Sequence, residues 1–140
     1  MRPGEIYRHA SFYLDRESGE TRPKFFLVLG KTPAGDIVAR LLTSRQNGRP
    51  EVPPCYHGDP YPGFYVGVLG EPLTAKSWVD LRSLEDFDEV EATGLVKKRI
   101  VGLVKALPAA LMRPLLECVA GAPDTTKLQE RSIRDSLSTS

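Results

Sequence analysis

Apolar and polar residues alternate in short runs from the N-terminus to about residue 104, and helical spacing replaces that pattern afterwards. Residues 5–14 open with Ile6 and Tyr7 and return to Phe12, Tyr13 and Leu14, which reads as a strand. Asp15-Arg16-Glu17-Ser18-Gly19-Glu20 is a polar turn. Behind Arg22-Pro23, the run Lys24-Phe25-Phe26-Leu27-Val28-Leu29 is short enough for a buried strand. Thr32-Pro33-Ala34-Gly35-Asp36 turns the chain into Ile37-Val38-Ala39-Arg40-Leu41-Leu42-Thr43, completing a hairpin. Pro50, Pro53, Pro54, Pro60 and Pro62, with Gly48, Gly58 and Gly63, then exclude a helix or a central strand from residues 45–63. A loop this long inside a small domain points to function or mobility.

Two short strands are expected at residues 64–68 and 77–81, around a turn at Gly70-Glu71-Pro72, and a last strand at 99–104. Acidic residues 85–91 read as a loop or helical turn with an outward face. Pro108 suits a first helical turn, and Leu111, Leu115, Leu116 and Val119 recur at helical spacing up to Gly121. The helix predicted over 108–121 carries Pro114, which implies a kink or a late start. A second helix, over 124–138, has Asp124 as its cap and Leu128, Ile133 and Leu137 as its apolar face, with Thr125 or Ser132 filling between. Strands first and helices last make an α+β domain, a small barrel of about five to seven strands with C-terminal helices, occupying 1–140 as one unit.

Composition changes this picture little. The 140 residues carry 19 Lys+Arg and 18 Asp+Glu, a net charge of +1 that argues against a protein coating duplex nucleic acid. The distribution is uneven: residues 1–50 hold nine bases and five acids, 51–96 two and nine, and 97–140 eight and four. The only two cysteines, Cys55 and Cys118, lie 63 positions apart and suggest neither a disulfide framework nor a structural zinc site. No apolar run approaches the roughly 18 residues of a spanning helix, and no signal peptide is evident, so a cytoplasmic protein without a membrane partner is expected.

Gly4-Glu5-Ile6-Tyr7, then Arg22-Pro23 opening an apolar strand, then Leu41-Leu42-Thr43-Ser44, resembles the MazF/PemK toxin family. Residues 76–84 are more loosely similar to a later family segment. The resemblance implies an SH3-like barrel, a homodimer, an antitoxin partner, and cleavage of single-stranded RNA with neither metal nor other cofactor. Three departures stand out: the middle loop, residues 55–64, does not read as the family's usually does, residues 16–21 contain no His where some relatives have one, and Trp78 stands where some have Arg.

Metal-independent cleavage uses the 2′-OH against the adjacent phosphate and needs a proton acceptor and cations around the phosphorane. The resemblance places a catalytic Arg at Arg22 and a phosphate-holding Thr at Thr43. On the residues alone, Arg22 reads equally as a surface cation and Thr43 as a strand residue closing a turn. Asp80 is a candidate to orient Arg22 or act as base, and His57 to shuttle a proton, although either suits a solvated position. Lys24, Arg45, Gln46, Arg49 and Tyr56 are candidate RNA-binding residues, with Tyr61, Phe64 and Tyr65 as further stacking or packing aromatics. Cys55, His57 and Asp59 alternate, but nothing nearby completes a metal site of known spacing, and His9 and Cys118 are distant in sequence, so no metal is expected. The alternative function is a non-catalytic barrel that binds a protein or nucleic acid through the 45–65 loop.

Overall fold

The computed structural model describes residues 1–84 and 86–139. Its elements in chain order are β1 (Glu5–Leu14), β2 (Thr21–Lys31), β3 (Asp36–Thr43), β4 (Cys55–Tyr56), β5 (Gly63–Gly67), β6 (Ser77–Asp80), β7 (Phe87–Asp88), α1 (Glu89–Lys97), β8 (Val101–Ala106), α2 (Ala109–Ala120) and α3 (Lys127–Thr139). Eight strands among the described residues form one antiparallel sheet in the order β4-β5-β6-β3-β2-β1-β8, with β7 paired to β3 beside this path. The α+β class is as expected. The pairing path is open, ending at β4 and at β8.

The apolar run of β2 is explained by burial on both faces. Leu27 and Leu29, with Ile6 of β1 and Val38 and Leu42 of β3, pack under Leu115, Leu116 and Val119 of α2 and Ile133 of α3. Phe26 and Val28, with Tyr7, Ile37 and Ala39, pack on the opposite face with Val101, Phe87 and Leu95. Odd and even positions thus feed two separate apolar layers, as the two-residue period of a strand requires. The proline-rich 45–63 segment contributes only β4, at the edge of the sheet where missing ladder donors do no harm, and Gly63, the first residue of β5.

Several expectations are corrected. Residues 86–97 hold β7 and the nine-residue helix α1 rather than a loop or single turn; residue 85, the first of the acidic stretch, lies outside the described residues. Only Ala92 of α1 is buried, so its hydrophobic period is weak. Its polar signals are better: the Asp88 carboxylate caps the helix by accepting from Val90 N at 2.8 Å, Glu89 and Glu91 occupy the first turn, and Lys97 the last. Pro114 does not delay α2, which begins at Ala109 and continues through it. Cys55 and Cys118 are joined by a disulfide, which ties β4 to α2.

α3 buries Ile133 and Ser132 and packs Leu137 against the core as expected, but Leu128 is 48% exposed, and Gln129 and Ser136 add buried polar groups to the same face. The reason is Gly30 of β2. A Cβ there would lie 2.9 Å from the Ser132 carbonyl oxygen and 3.1 Å from Ser136 Oγ, so the helix backbone approaches the sheet through small residues. The Ser132 and Ser136 hydroxyls donate to the Leu128 and Ser132 carbonyls at 3.0 and 3.2 Å, which removes the cost of burying them. Arg40, 0% exposed on β3, also reaches this helix, donating to Gln129 Oε1 at 3.1 Å and to the Ala39 carbonyl at 2.8 Å. Burial pulls its pKa down, opposed by the charges of Asp86, Asp124 and Asp80. Gly30→Ala is therefore expected to destabilise the protein by about 1–3 kcal/mol, because the obstacle is helix backbone and not a flexible side chain. An unchanged urea midpoint for Gly30→Ala would show that α3 does not sit this close to β2.

Candidate functional site

The alternation that feeds the two cores also decides which polar residues converge. Lys24 on β2, Leu41 and Thr43 on β3 and Asp80 on β6 share the sheet face opposite Phe25, Leu42 and Val79. They line a cavity of about 240 Å³ together with Arg45, Asn47, Arg49, Tyr61 and Arg82. An adjoining cavity of about 270 Å³ shares Lys24, Thr43 and Arg45 and adds Ser44, Pro72 and Ser77.

The 45–63 segment is folded by donors that its prolines lack. Asn47 and Gly48, with φ of 48° and 81°, form the centre of a turn closed by Arg49 N donating to Gln46 O at 2.8 Å. Positive φ at both central residues is the type I′ pattern that Asn-Gly favours. This turn sends Arg49 back beneath the loop, where it is 1% exposed. Its Nη1 donates to Arg45 O at 2.9 Å and its Nε to Pro62 O at 3.2 Å, spanning both ends of the segment. Trp78 Nε1 donates to Pro50 O at 3.1 Å. Gly63 makes room for Arg49, since a Cβ there would fall 2.5 Å from the Arg49 Cδ.

Asp80 balances the buried charge. Its Oδ2 lies 3.6 Å from Arg49 Nη2, an ion pair longer than a hydrogen bond, and Arg49 Nη2 is left as a buried donor with no hydrogen-bond partner. On its other side Asp80 receives Arg82 Nε at 3.1 Å on both oxygens and Nη2 at 2.7 Å on Oδ2. The Tyr61 ring lies near both guanidiniums, 5.4 Å from Arg49 Cζ and 5.1 Å from Arg82 Cζ. The hydrogen bonds to Asp80 hold the Arg82 pKa above its usual value, while burial lowers that of Arg49 against the attraction of Asp80. Thr43 Oγ1 accepts from Arg45 N at 3.1 Å, which leaves the hydroxyl proton to donate elsewhere.

The structure thus brings together Thr43, Asp80, Lys24, Arg45 and Arg49. Gln46 supports the loop by donating from Nε2 to Arg49 O at 2.9 Å. Arg22 is two residues from Lys24 on the same strand face, but its Nε is engaged by Asp15 Oδ2 at 3.2 Å at the β1–β2 turn and it does not line the cavity. Asp80 orients Arg82 and faces Arg49, and does not orient Arg22. Tyr56 folds over Gly58, where a Cβ would meet its hydroxyl at 2.2 Å, and does not line this cavity. Arg82 and Asn47 are site residues that sequence reasoning missed. The Asn-Gly dipeptide was the available signal for the turn; nothing local marks Arg82, whose role depends on Asp80 being trapped beside a buried arginine.

His57 lies apart from these groups, against α2. Its Nε2 is 2.9 Å from Cys118 O, 3.4 Å from Cys55 Sγ and 3.6 Å from Cys118 Sγ. Cys55, His57 and Cys118 thus form a cluster whose Sγ and imidazole nitrogen atoms lie within 4.8 Å of one another, the two sulfurs joined as the disulfide, with Cys118 brought in by the fold and Asp59 outside it.

Removing the Asp80 charge leaves Arg49 buried without compensation. Asp80→Asn is expected to cost about 3–5 kcal/mol, whereas Arg82→Gln, altering a half-exposed partner, should cost under about 1 kcal/mol. Chemical denaturation of the two variants checks this, and equal losses would show that Arg49 is not what Asp80 balances. No protein-family model, curated protein or solved structure matches the chain.

Proposed function

We propose that the protein is a toxin-like endoribonuclease that grips single-stranded RNA at the cavity between β2, β3, β6 and the 45–63 loop, and cleaves it without a metal. The single observation behind this reading is the convergence of Lys24, Arg45, Arg49 and Arg82 with Thr43 and Tyr61 around that cavity. Guanidiniums fork onto two phosphate oxygens and stay charged, so Arg45 and Arg82 neutralise the phosphorane that forms when the 2′-OH attacks. Lys24 adds a compact charge, the Thr43 hydroxyl donates to a phosphate oxygen, and Tyr61 offers a ring for an unpaired base. The 2′-OH proton passes to Asp80 as the 2′-O–P bond forms. The P–O5′ bond breaks, water protonates the departing 5′ oxygen, and the products are a 2′,3′-cyclic phosphate and a 5′-OH. Arg22 joins the phosphate only when released from Asp15. On this reading the sheet is an SH3-like barrel in its family relationship, the chain works in the cytoplasm as a homodimer, and an antitoxin covers the cavity.

A second reading is favoured by the clamping of Asp80. Both Asp80 oxygens already accept from Arg82, Arg22 is engaged by Asp15, and His57 does not line the cavity but meets the Cys118 carbonyl. The same cavity then binds RNA, or a protein partner through the 45–65 loop, without cleaving anything.

Incubation of single-stranded RNA with the protein in EDTA separates the two. The nuclease gives discrete fragments, and Lys24→Ala and Arg82→Gln each slow cleavage by about 100-fold with the fold retained. Intact RNA with retained binding supports the second reading instead. RNA affinity should fall with salt at a log–log slope near about −2 if some three phosphates are neutralised. A slope near zero would remove this cavity from RNA recognition altogether.

A further inference from the structure

We propose that Cys55, His57 and Cys118 form a redox-gated site for zinc: a disulfide when oxidised, and a Cys2His ligand set for Zn²⁺ when reduced. This inference is independent of the RNA reading, whose cavity is lined by none of the three residues. The three groups come from separate parts of the chain, β4, the loop following it, and α2, and their ligand atoms lie within 4.8 Å of one another.

The spacing already suits a tetrahedral ion. Zinc bonds of about 2.3 Å to sulfur and about 2.0–2.1 Å to nitrogen, at tetrahedral angles, give N···S edges of about 3.5–3.6 Å and an S···S edge of about 3.8 Å. His57 Nε2 lies 3.4 and 3.6 Å from the two sulfurs, so two of three edges are in place. The third needs only the S–S bond to be broken and the sulfurs to separate to ordinary contact. Cys55 and His57 are partly exposed, and Cys118 is 4% exposed on a helix that fixes it. Water and reductant therefore have access from the loop side while the helix holds the geometry. His57 also lines a cavity of about 260 Å³, from which water can supply a fourth ligand.

The chemistry balances. A dithiol reductant gives two electrons and two protons to the disulfide, leaves as its own cyclic disulfide, and yields two cysteine thiols. Zn²⁺ then displaces both thiol protons, forming two Zn–S bonds. The Cys118 carbonyl can only accept, so Nε2 carries the imidazole proton in the oxidised state. On metal binding that proton moves to Nδ1 and the Nε2 lone pair turns to zinc, exchanging one hydrogen bond for one coordinate bond. In both states the proline-rich loop stays fastened to α2, by a covalent bond in one and by the ion in the other.

Cobalt(II) as a spectroscopic stand-in for zinc tests this on the full chain. After reduction with a phosphine and removal of the reductant, one equivalent of Co²⁺ should give the intense visible bands of tetrahedral cobalt with thiolate charge transfer, and Zn²⁺ should abolish them. The oxidised protein and Cys118→Ser should show neither, and His57→Ala should bind at least about tenfold more weakly. Circular dichroism follows the fold throughout. The proposal is overturned if the reduced protein binds Co²⁺ no better than Cys118→Ser, if His57→Ala binds equally well, if the bound cobalt is octahedral, if the disulfide resists reduction in the folded protein, or if reduction unfolds the chain and Zn²⁺ does not restore it.

Discussion

A guanidinium enclosed under a loop requires an anion, and the pairing of Arg49 with Asp80 is the constraint on which the loop and the cavity both depend. The 45–63 segment is rich in residues that accept hydrogen bonds but cannot donate them. Arg49 supplies those donors to Arg45 O and Pro62 O, and so it must be buried. Once buried, it needs Asp80 at the end of β6. Asp80 in turn recruits Arg82 with its full fork, and Tyr61 lies near both cations. The charged wall of the cavity is thus the outer shell of an arrangement that first serves to hold a loop in place.

The sheet provides the frame for that arrangement by burying β1, β2 and β3 on both faces. One apolar layer lies under α2 and α3, and the other lies against β7 and α1. Gly30 lets α3 come close enough for its serines to be interior residues, and Arg40 links β3 to Gln129 through that contact. Two buried arginines on either side of the sheet are an unusual load for a chain of 140 residues. Asp80 faces Arg49 directly, whereas Arg40 is balanced first by Asp86 and Asp124.

Much of the candidate site could be read from the chain because strand alternation is a local property. Lys24, Thr43 and Asp80 lie on one face for the same reason that Phe25, Leu42 and Val79 lie on the other. Arg49 was legible as a cation near the loop, but not as the residue beneath it, since that depends on Asn47-Gly48 reversing the chain and on Gly63 leaving space. Arg22 was placed by resemblance, and on the structure its guanidinium answers to Asp15 seven residues away. Helix α1 escaped the hydrophobic pattern because it buries only Ala92, although its cap and its end charges were written in the sequence.

The sequence by itself determined the longer strands, the hairpin, the helical C-terminal part and the exclusion of regular structure from most of the proline-rich segment, because each follows from near-neighbour periodicity and backbone chemistry. Only the tertiary structure decided which distant groups meet. Cys118 is remote from Cys55 and His57 in sequence, yet α2 carries it against both. Asp80 reads in sequence as a strand-end acid, yet the packing of the loop sets it between two guanidiniums. Such meetings depend on how elements pack across the sheet, and sequence separation carries no information about that distance.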